Sequence, residues 1–183
     1  DSYDFYVNAG TATISIGDEL GTSSTFDLKD INLHGGDIEV GNSLYSSANF
    51  TLEVDNTAIF GSSLGIGGNF EFKGPGTMDL QSGGMAVGGN FTLSGGTFTS
   101  TLAADTYKTW GITVRGNWTN NGYFDPITNH GTFPVIFNVS FSGTSAQTIT
   151  PNGTSAGRRF YDLGFLGQEA TIVGDVYVSN NLM

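Results

Sequence analysis

Two histidines, His34 and His130, are the scarcest candidates for acid–base chemistry in the chain. A Ser–His–carboxylate triad would need one of them beside a serine and an acid. Asp37 follows His34 closely and Asp125 precedes His130, but neither spacing marks a triad, and both histidines adjoin glycine, which fits turns. With 2 His and no Cys, zinc would have to fill its shell with carboxylates. Calcium suits the donors better, since Asp27, Asp30, Asp37 and Glu39 offer oxygen ligands within a short stretch. No EF-hand loop and no Gly-Gly-x-Gly-x-Asp repeat accompanies them. Solvated acids that keep the protein soluble are the plain alternative, and the expected cofactor is none, with calcium as the one metal the acids would take.

Acid pairs for glycan cleavage exist in Asp37/Glu39 and Glu53/Asp55, whose alternation puts each pair on one face of a strand. The 6 basic residues, Lys29, Lys73, Lys108, Arg115, Arg158 and Arg159, are too few and too scattered for a groove that holds an anionic polymer. A polysaccharide hydrolase or lyase therefore ranks below a non-catalytic role, and the chain is read as no enzyme. Aromatic side chains at Tyr107, Trp110 and Tyr123 could present a platform to sugar rings. Trp118 is expected in the core, because it takes the place of Phe50, Phe70 and Phe91 in a repeat. Rows of Thr-x-Thr would suit ice. Thr97-Phe98-Thr99 and Thr148-Ile149-Thr150 occur, but the sequence shows no regular row. Five Asn-x-Ser/Thr sequons, at Asn49, Asn90, Asn117, Asn138 and Asn152, are candidate glycosylation sites.

The elements that would position these groups are strands. Asn49-Phe50-Thr51-Leu52-Glu53-Val54 alternates apolar and polar residues, as a half-buried strand does. Asn69-Phe70-Glu71-Phe72 and Asn90-Phe91-Thr92-Leu93 repeat it. Helical periodicity is nearly absent. The Asn-Phe or Asn-Trp pairs at 49, 69, 90 and 117 recur at intervals near 20 residues, with one longer step. Short apolar segments precede each of them: Ile38–Val40, Ala58–Phe60, Met85–Val87 and Ile112–Val114. A period of this length without helix describes one coil of a solenoid. Gly-Gly pairs at 35–36, 67–68, 83–84, 88–89 and 95–96 fall where corners would turn. The expected fold is all-β, a right-handed parallel β-solenoid or β-helix with coils of about 20 residues. A β-sandwich or jelly roll is the alternative, since such folds also string short strands together. Residues 1–183 form a single domain in this reading, with capping strands over 1–34 and a loop insertion near 102–110.

Composition agrees and narrows the partners. The 183 residues include 28 Gly, 14 Phe and only 13 % charged residues, a balance unlike that of disordered chains. A net charge of −11 repels phosphate backbones, which argues against nucleic acid. No apolar run approaches the ~18 residues of a membrane helix, so no membrane span is expected. The chain begins at Asp1 rather than Met, which suggests a processed product or a fragment.

From Gly116 onward the text carries a further pattern. Gly116-Asn117-Trp118-Thr119-Asn120-Asn121-Gly122-Tyr123-Phe124 is followed by Val139-Ser140-Phe141-Ser142-Gly143 and Gln147-Thr148-Ile149. Phe160-Tyr161-Asp162-Leu163 and Val176-Tyr177-Val178 come next. This resembles the repeats of large secreted prokaryotic surface proteins of the adhesin-like β-solenoid type. The likeness spans about residues 110–183, with a looser echo back to Gly35. Arg158-Arg159 departs from the pattern and suits a solvated turn. The resemblance implies an extracellular, cell-surface location and a structural or adhesive role; it carries no catalytic residues. Tyr3, Phe5 and Val7 near one end, and Val176 and Val178 near the other, are candidate assembly strands, either capping the stack or pairing with a neighbour. The expected partners are copies of the chain itself or further repeats of a longer one, with glycans as a second class.

Overall fold

The computed structural model describes residues 3–21, 28–81, 83–101, 109–125, 136–151 and 159–183. All regular structure among them is strand. The chain winds as a parallel β-solenoid of about 7 turns, with about 21 residues per turn. The opening turn holds β1 (Tyr3–Asn8) and β2 (Thr13–Ile16), and the next holds β3 (Leu28–Val40) and β4 (Leu44–Ser46). Then follow β5 (Phe50–Phe60) with β6 (Leu64–Ile66), and β7 (Phe70–Lys73), β8 (Thr77–Leu80) and β9 (Met85–Val87). After these come β10 (Phe91–Leu93), β11 (Thr97–Thr99) and β12 (Thr109–Val114), then β13 (Trp118–Asn120), β14 (Tyr123–Asp125) and β15 (Ile136–Phe141). The last turns hold β16 (Gln147–Thr150), β17 (Arg159–Phe165), β18 (Ala170–Ile172) and β19 (Tyr177–Leu182).

Every pairing between successive turns is parallel, and the strands fall on three faces. The first face runs β1, β3, β5, β7, β10, β13, β16, β18. The second uses β2, the latter half of β3, the latter half of β5, then β8, β11 and β14. The third stacks β4, β6, β9, β12, β15, β17 and β19.

Alternation along each strand sends one residue in two to the inside, and parallel register stacks equivalent residues. The first face contributes the buried column Ile31, Phe50, Phe70, Phe91, Trp118 and Ile149. The second contributes Ile14, Ile38, Ala58, Met78, Phe98 and Phe124. The third contributes Leu44, Leu64, Met85, Ile112, Val139 and Leu163. Ring centroids lie 5.6 Å apart for Phe50–Phe70, 5.2 Å for Phe70–Phe91 and 4.0 Å for Phe91–Trp118. Such pairs each add about 0.5–1.5 kcal/mol beyond the area they bury. Two corners between the first two faces use backbone that only glycine adopts freely: Gly74 has φ +96° and Gly96 φ +65°.

Several expectations change in detail. Ile38–Val40 and Ala58–Phe60 belong to the second face and pair with Met78 and its neighbours. The true equivalents of Met85–Val87 are Leu64–Ile66 and Leu44–Ser46. Both sets are short and apolar, so spacing alone could not separate them. The strand Tyr3–Asn8 pairs with β3 as the first face of its own turn. The boundary at residue 34 falls inside β3, which turns the corner through a register shift between Gly35 and Asp37. His34 accordingly sits in a strand rather than a turn. Of the expected insertion, 102–108 lies outside the described residues, while Thr109 and Trp110 belong to β12 and pair with Ile136 and Phe137.

Candidate functional site

Where the third face turns into the first, the Asn of each Asn-Phe pair stands just before the strand. Its carboxamide oxygen accepts the backbone N–H of the equivalent residue one turn on. Asn49 Oδ1 takes Asn69 N at 3.0 Å, Asn69 Oδ1 takes Asn90 N at 2.8 Å, and Asn90 Oδ1 takes Asn117 N at 2.8 Å. Asn117 Oδ1 then takes Thr148 N at 2.7 Å. Asp30 opens this series, accepting Asn49 N at 2.9 Å and Asn49 Nδ2 at 2.8 Å. These hydrogen bonds, the Asn49 backbone N–H first and its side chain second, hold the Asp30 carboxyl below its ordinary range. The ladder satisfies corner N–H groups that no strand pairing reaches.

The ladder redefines the sequon row. Asn49 and Asn69 also use Nδ2, on Asp30 and on Asn49. Among the described residues Asn90 and Asn117 contribute only Oδ1, and both are exposed. Asn138 lies on β15, and its Oδ1 is buried with no hydrogen-bond partner among the described residues. Asn152 lies outside the described residues.

Of the four acids considered for calcium, the three among the described residues are not gathered into one group. Asp30 stands at the start of the first face, bonded to Asn49. Asp37 and Glu39 share the second-face half of β3, where Asp37 accepts Thr57 N at 3.2 Å. Asp27 lies outside the described residues. No group of three or more His, Cys, Asp or Glu able to hold a metal occurs among the described residues.

The aromatic candidates separate too. Tyr123 is 45 % exposed on the second face, whereas Trp110 belongs to the third, and Tyr107 falls outside the described residues. Trp118 is fully buried, as the repeat implied. Threonines form more of a row than the sequence suggested. Thr57, Thr77 and Thr97 share one outward column on the second face, bounded by Asp37 before and Tyr123 after.

Two Gly-x-Ser-x-Gly strings occur in the chain, at 61–65 and 153–157. Gly61-Ser62-Ser63-Leu64-Gly65 runs from a corner into β6 with no helix behind it, so it lacks the strand-to-helix turn of a nucleophile elbow. Ser62 Oγ lies 3.0 Å from Ser43 Oγ, and His34 sits on a different face. Gly153–Gly157 lies outside the described residues.

The corner column that leads into the ladder reads Ser47, Gly67, Gly88, Arg115, Ser142 along the stack. A Cβ on Gly67 would run into the Ser47 carbonyl, and one on Gly88 into that of Gly67, so the turns pack there as bare backbone. A trough results, lined by Gly67, Ala86, Gly88, Thr113 and Arg115, with a volume of about 300 Å³. Among the described residues no helix is long and apolar enough to cross a membrane.

Fold and ladder together define a parallel β-solenoid whose turns are tied by a core of stacked rings and a rail of asparagines. Comparison with family models, with curated proteins and with solved structures finds no match for the chain.

Proposed function

We propose that this chain is an extracellular structural or adhesive element of a cell surface, one that extends through the strand edges of its outermost turns into filaments, a sheath or a layer. The observation that carries the reading is the nature of the joint between turns. Backbone pairing, a side-chain rail and stacked apolar columns all run along the axis, so any turn is a template for the next. The outermost strands offer that template to a further turn. Phe5 and Val7 of β1 are only partly covered. Tyr3 and Tyr6 are 62 % and 69 % exposed, and Leu182 of β19 is 66 % exposed. Unpaired parallel edges with apolar flanks are the usual site of strand addition. Asn90 and Asn117 support a glycosylated exterior, because the rail uses their oxygens and leaves Nδ2 outside it.

Electron microscopy of the purified chain across a concentration and calcium series tests the reading. Filaments, tubes or sheets are expected. Uniform short particles at every concentration would overturn edge-mediated assembly. A second reading, a carbohydrate-binding β-domain, gains support from the trough beside Arg115.

A further inference from the structure

Arg115 is the residue whose surroundings the architecture does not use. It stands in the corner column where two earlier turns carry glycine, so its side chain lies beside bare backbone. Its backbone N–H is spent on the Val87 carbonyl at 2.9 Å. Its guanidinium is exposed and forms no ion pair or hydrogen bond among the described residues. In a chain of net charge −11, where acids outnumber bases by 17 to 6, a cation with no carboxylate partner among the described residues stands out.

The far side of Arg115 is built differently from the near side. Earlier corners run directly from the third face into the Asn rung, as Gly67–Asn69 and Gly88–Asn90 do. The corner after Arg115–Asn117 runs instead from Ser142 to Thr148. Gln147 is buried, 3 % exposed, and fills the widened corner. Its Nε2 donates to the carbonyls of Val114 and Gly116, and its Oε1 accepts Gly143 N at 2.9 Å. The surplus residues are thereby held out as a step. Ser142, Thr144 and Ser145 face Arg115 across a second depression of about 530 Å³. Arg115 thus joins two depressions, one floored by Ala86 and glycine backbone, the other walled by hydroxyls.

We propose that Arg115 and this step form a binding site for a carboxylate-bearing sugar, a single hexuronate residue. The inference rests on the adhesive side of the proposed function. A guanidinium fork matches a carboxylate in two parallel hydrogen bonds. Hydroxyls at Thr113, Ser142, Thr144 and Ser145 suit the hydroxyls of a sugar ring, and the Ala86 and glycine lining suits its C–H face. The volumes fall in the range of small-ligand sites. The surrounding negative field opposes a polyanion, which is why the site takes one acidic residue rather than a charged chain.

The test is titration of the intact chain with glucuronate, galacturonate, glucose and acetate, followed by calorimetry and ligand-observed NMR. Both uronates are expected to bind saturably, and neither glucose nor acetate at equal concentration. Arg115→Ala should weaken uronate binding by about tenfold or more, the scale of a charge-assisted hydrogen bond. Lys73→Ala, which removes a cation on the first face, should leave binding unchanged. Arg115 is exposed, so its variant should fold like the parent, and circular dichroism checks this. Equal uronate binding by parent and Arg115→Ala, or no saturable binding, overturns the site. Binding of neutral glycans that survives Arg115→Ala also overturns it while leaving the adhesive role standing. Filaments without uronate binding separate the two in the same way.

Discussion

The middle turns and the last turn obey the same winding rule but are held with different strength. From β5 to β13 each first-face strand places a ring in the central column, and Phe50, Phe70, Phe91 and Trp118 are all fully buried. Ile149 continues the column without a ring and is still buried; one turn further, Ile172 is 37 % exposed. The rail changes at the same place. Asn117 hands its oxygen to Thr148, which has no carboxamide to pass the connection on. Both devices gain from a neighbour on either side, and among the described residues β18 pairs only with β16. That behaviour is expected of a stack whose stability is a sum of nearest-neighbour terms.

The largest effect should come from the column. Phe70 touches Phe50 and Phe91 and has no exposed surface. Phe70→Ala is expected to cost about 3–5 kcal/mol, read as a lowered midpoint in chemical denaturation. Ile172→Ala removes a side chain that is already part solvated, and should cost less than about 1 kcal/mol. Similar losses for the two would mean that middle and end do not differ in cohesion. A rail substitution comes next. Asn69→Ala removes the acceptor of Asn90 N and the donor to Asn49 Oδ1. Water can reach this corner, so the loss should be about 0.5–1.5 kcal/mol. Thr148→Ala should be near neutral, because the rung uses only its backbone N–H.

Trp118 sharpens the comparison inside the column itself. Its ring lies parallel to Phe91 at 4.0 Å, which suits the repeat, but its Nε1 is buried without a hydrogen-bond partner among the described residues. Trp118→Phe restores the residue type of the three preceding turns. It trades lost packing on Phe124, Phe141 and Phe160 against removal of an unsatisfied donor. Those terms have opposite signs and each is about 1–3 kcal/mol, so the net change in unfolding free energy should stay within about 2 kcal/mol. A loss on the scale of Phe70→Ala would show that the indole is needed for its shape.

Much of this was legible because strand alternation and corner chemistry are local. Phe50, Leu52 and Val54 declare their inward face by parity, and the Asn-Phe interval gives the length of a turn. The number of faces was not readable in the same way. Ile38–Val40 and Met85–Val87 look alike as text, and only register shows that one is second face and the other third. The rail was half legible. Its asparagines stood out as sequons, but their hydrogen bonds run between residues about 20 apart, and Asn69, which is no sequon, is as much a rung as Asn49. The setting of Arg115 was hidden for a related reason. Its neighbours Gly67 and Gly88 are adjacent only through stacking, and the step beyond it depends on Gln147 reaching back to Val114.

The smallest expected effect lies at the other end of the rail and depends on pH. Asp30 occupies a rung position but carries a charge, and its hydrogen bonds from Asn49 hold its carboxyl below the ordinary value. A folded pKa below the unfolded one means that the folded state binds fewer protons in that interval. The stabilisation is complete above the unfolded value, about 3.9, and is lost as the pH falls through the lowered folded value. Asp30→Asn keeps an oxygen that accepts from Asn49 N, as the asparagines further along do, and removes the titration. The variant should therefore match the parent at pH 7 and lose less stability between pH 4 and pH 2, followed by thermal unfolding at each pH. Because Asp30 is only half-buried, solvent screens the interaction and the difference should be small. An equal acid sensitivity in both proteins would show that the first rung works through geometry alone, and that its charge adds nothing to what Asn69 and Asn90 achieve without one.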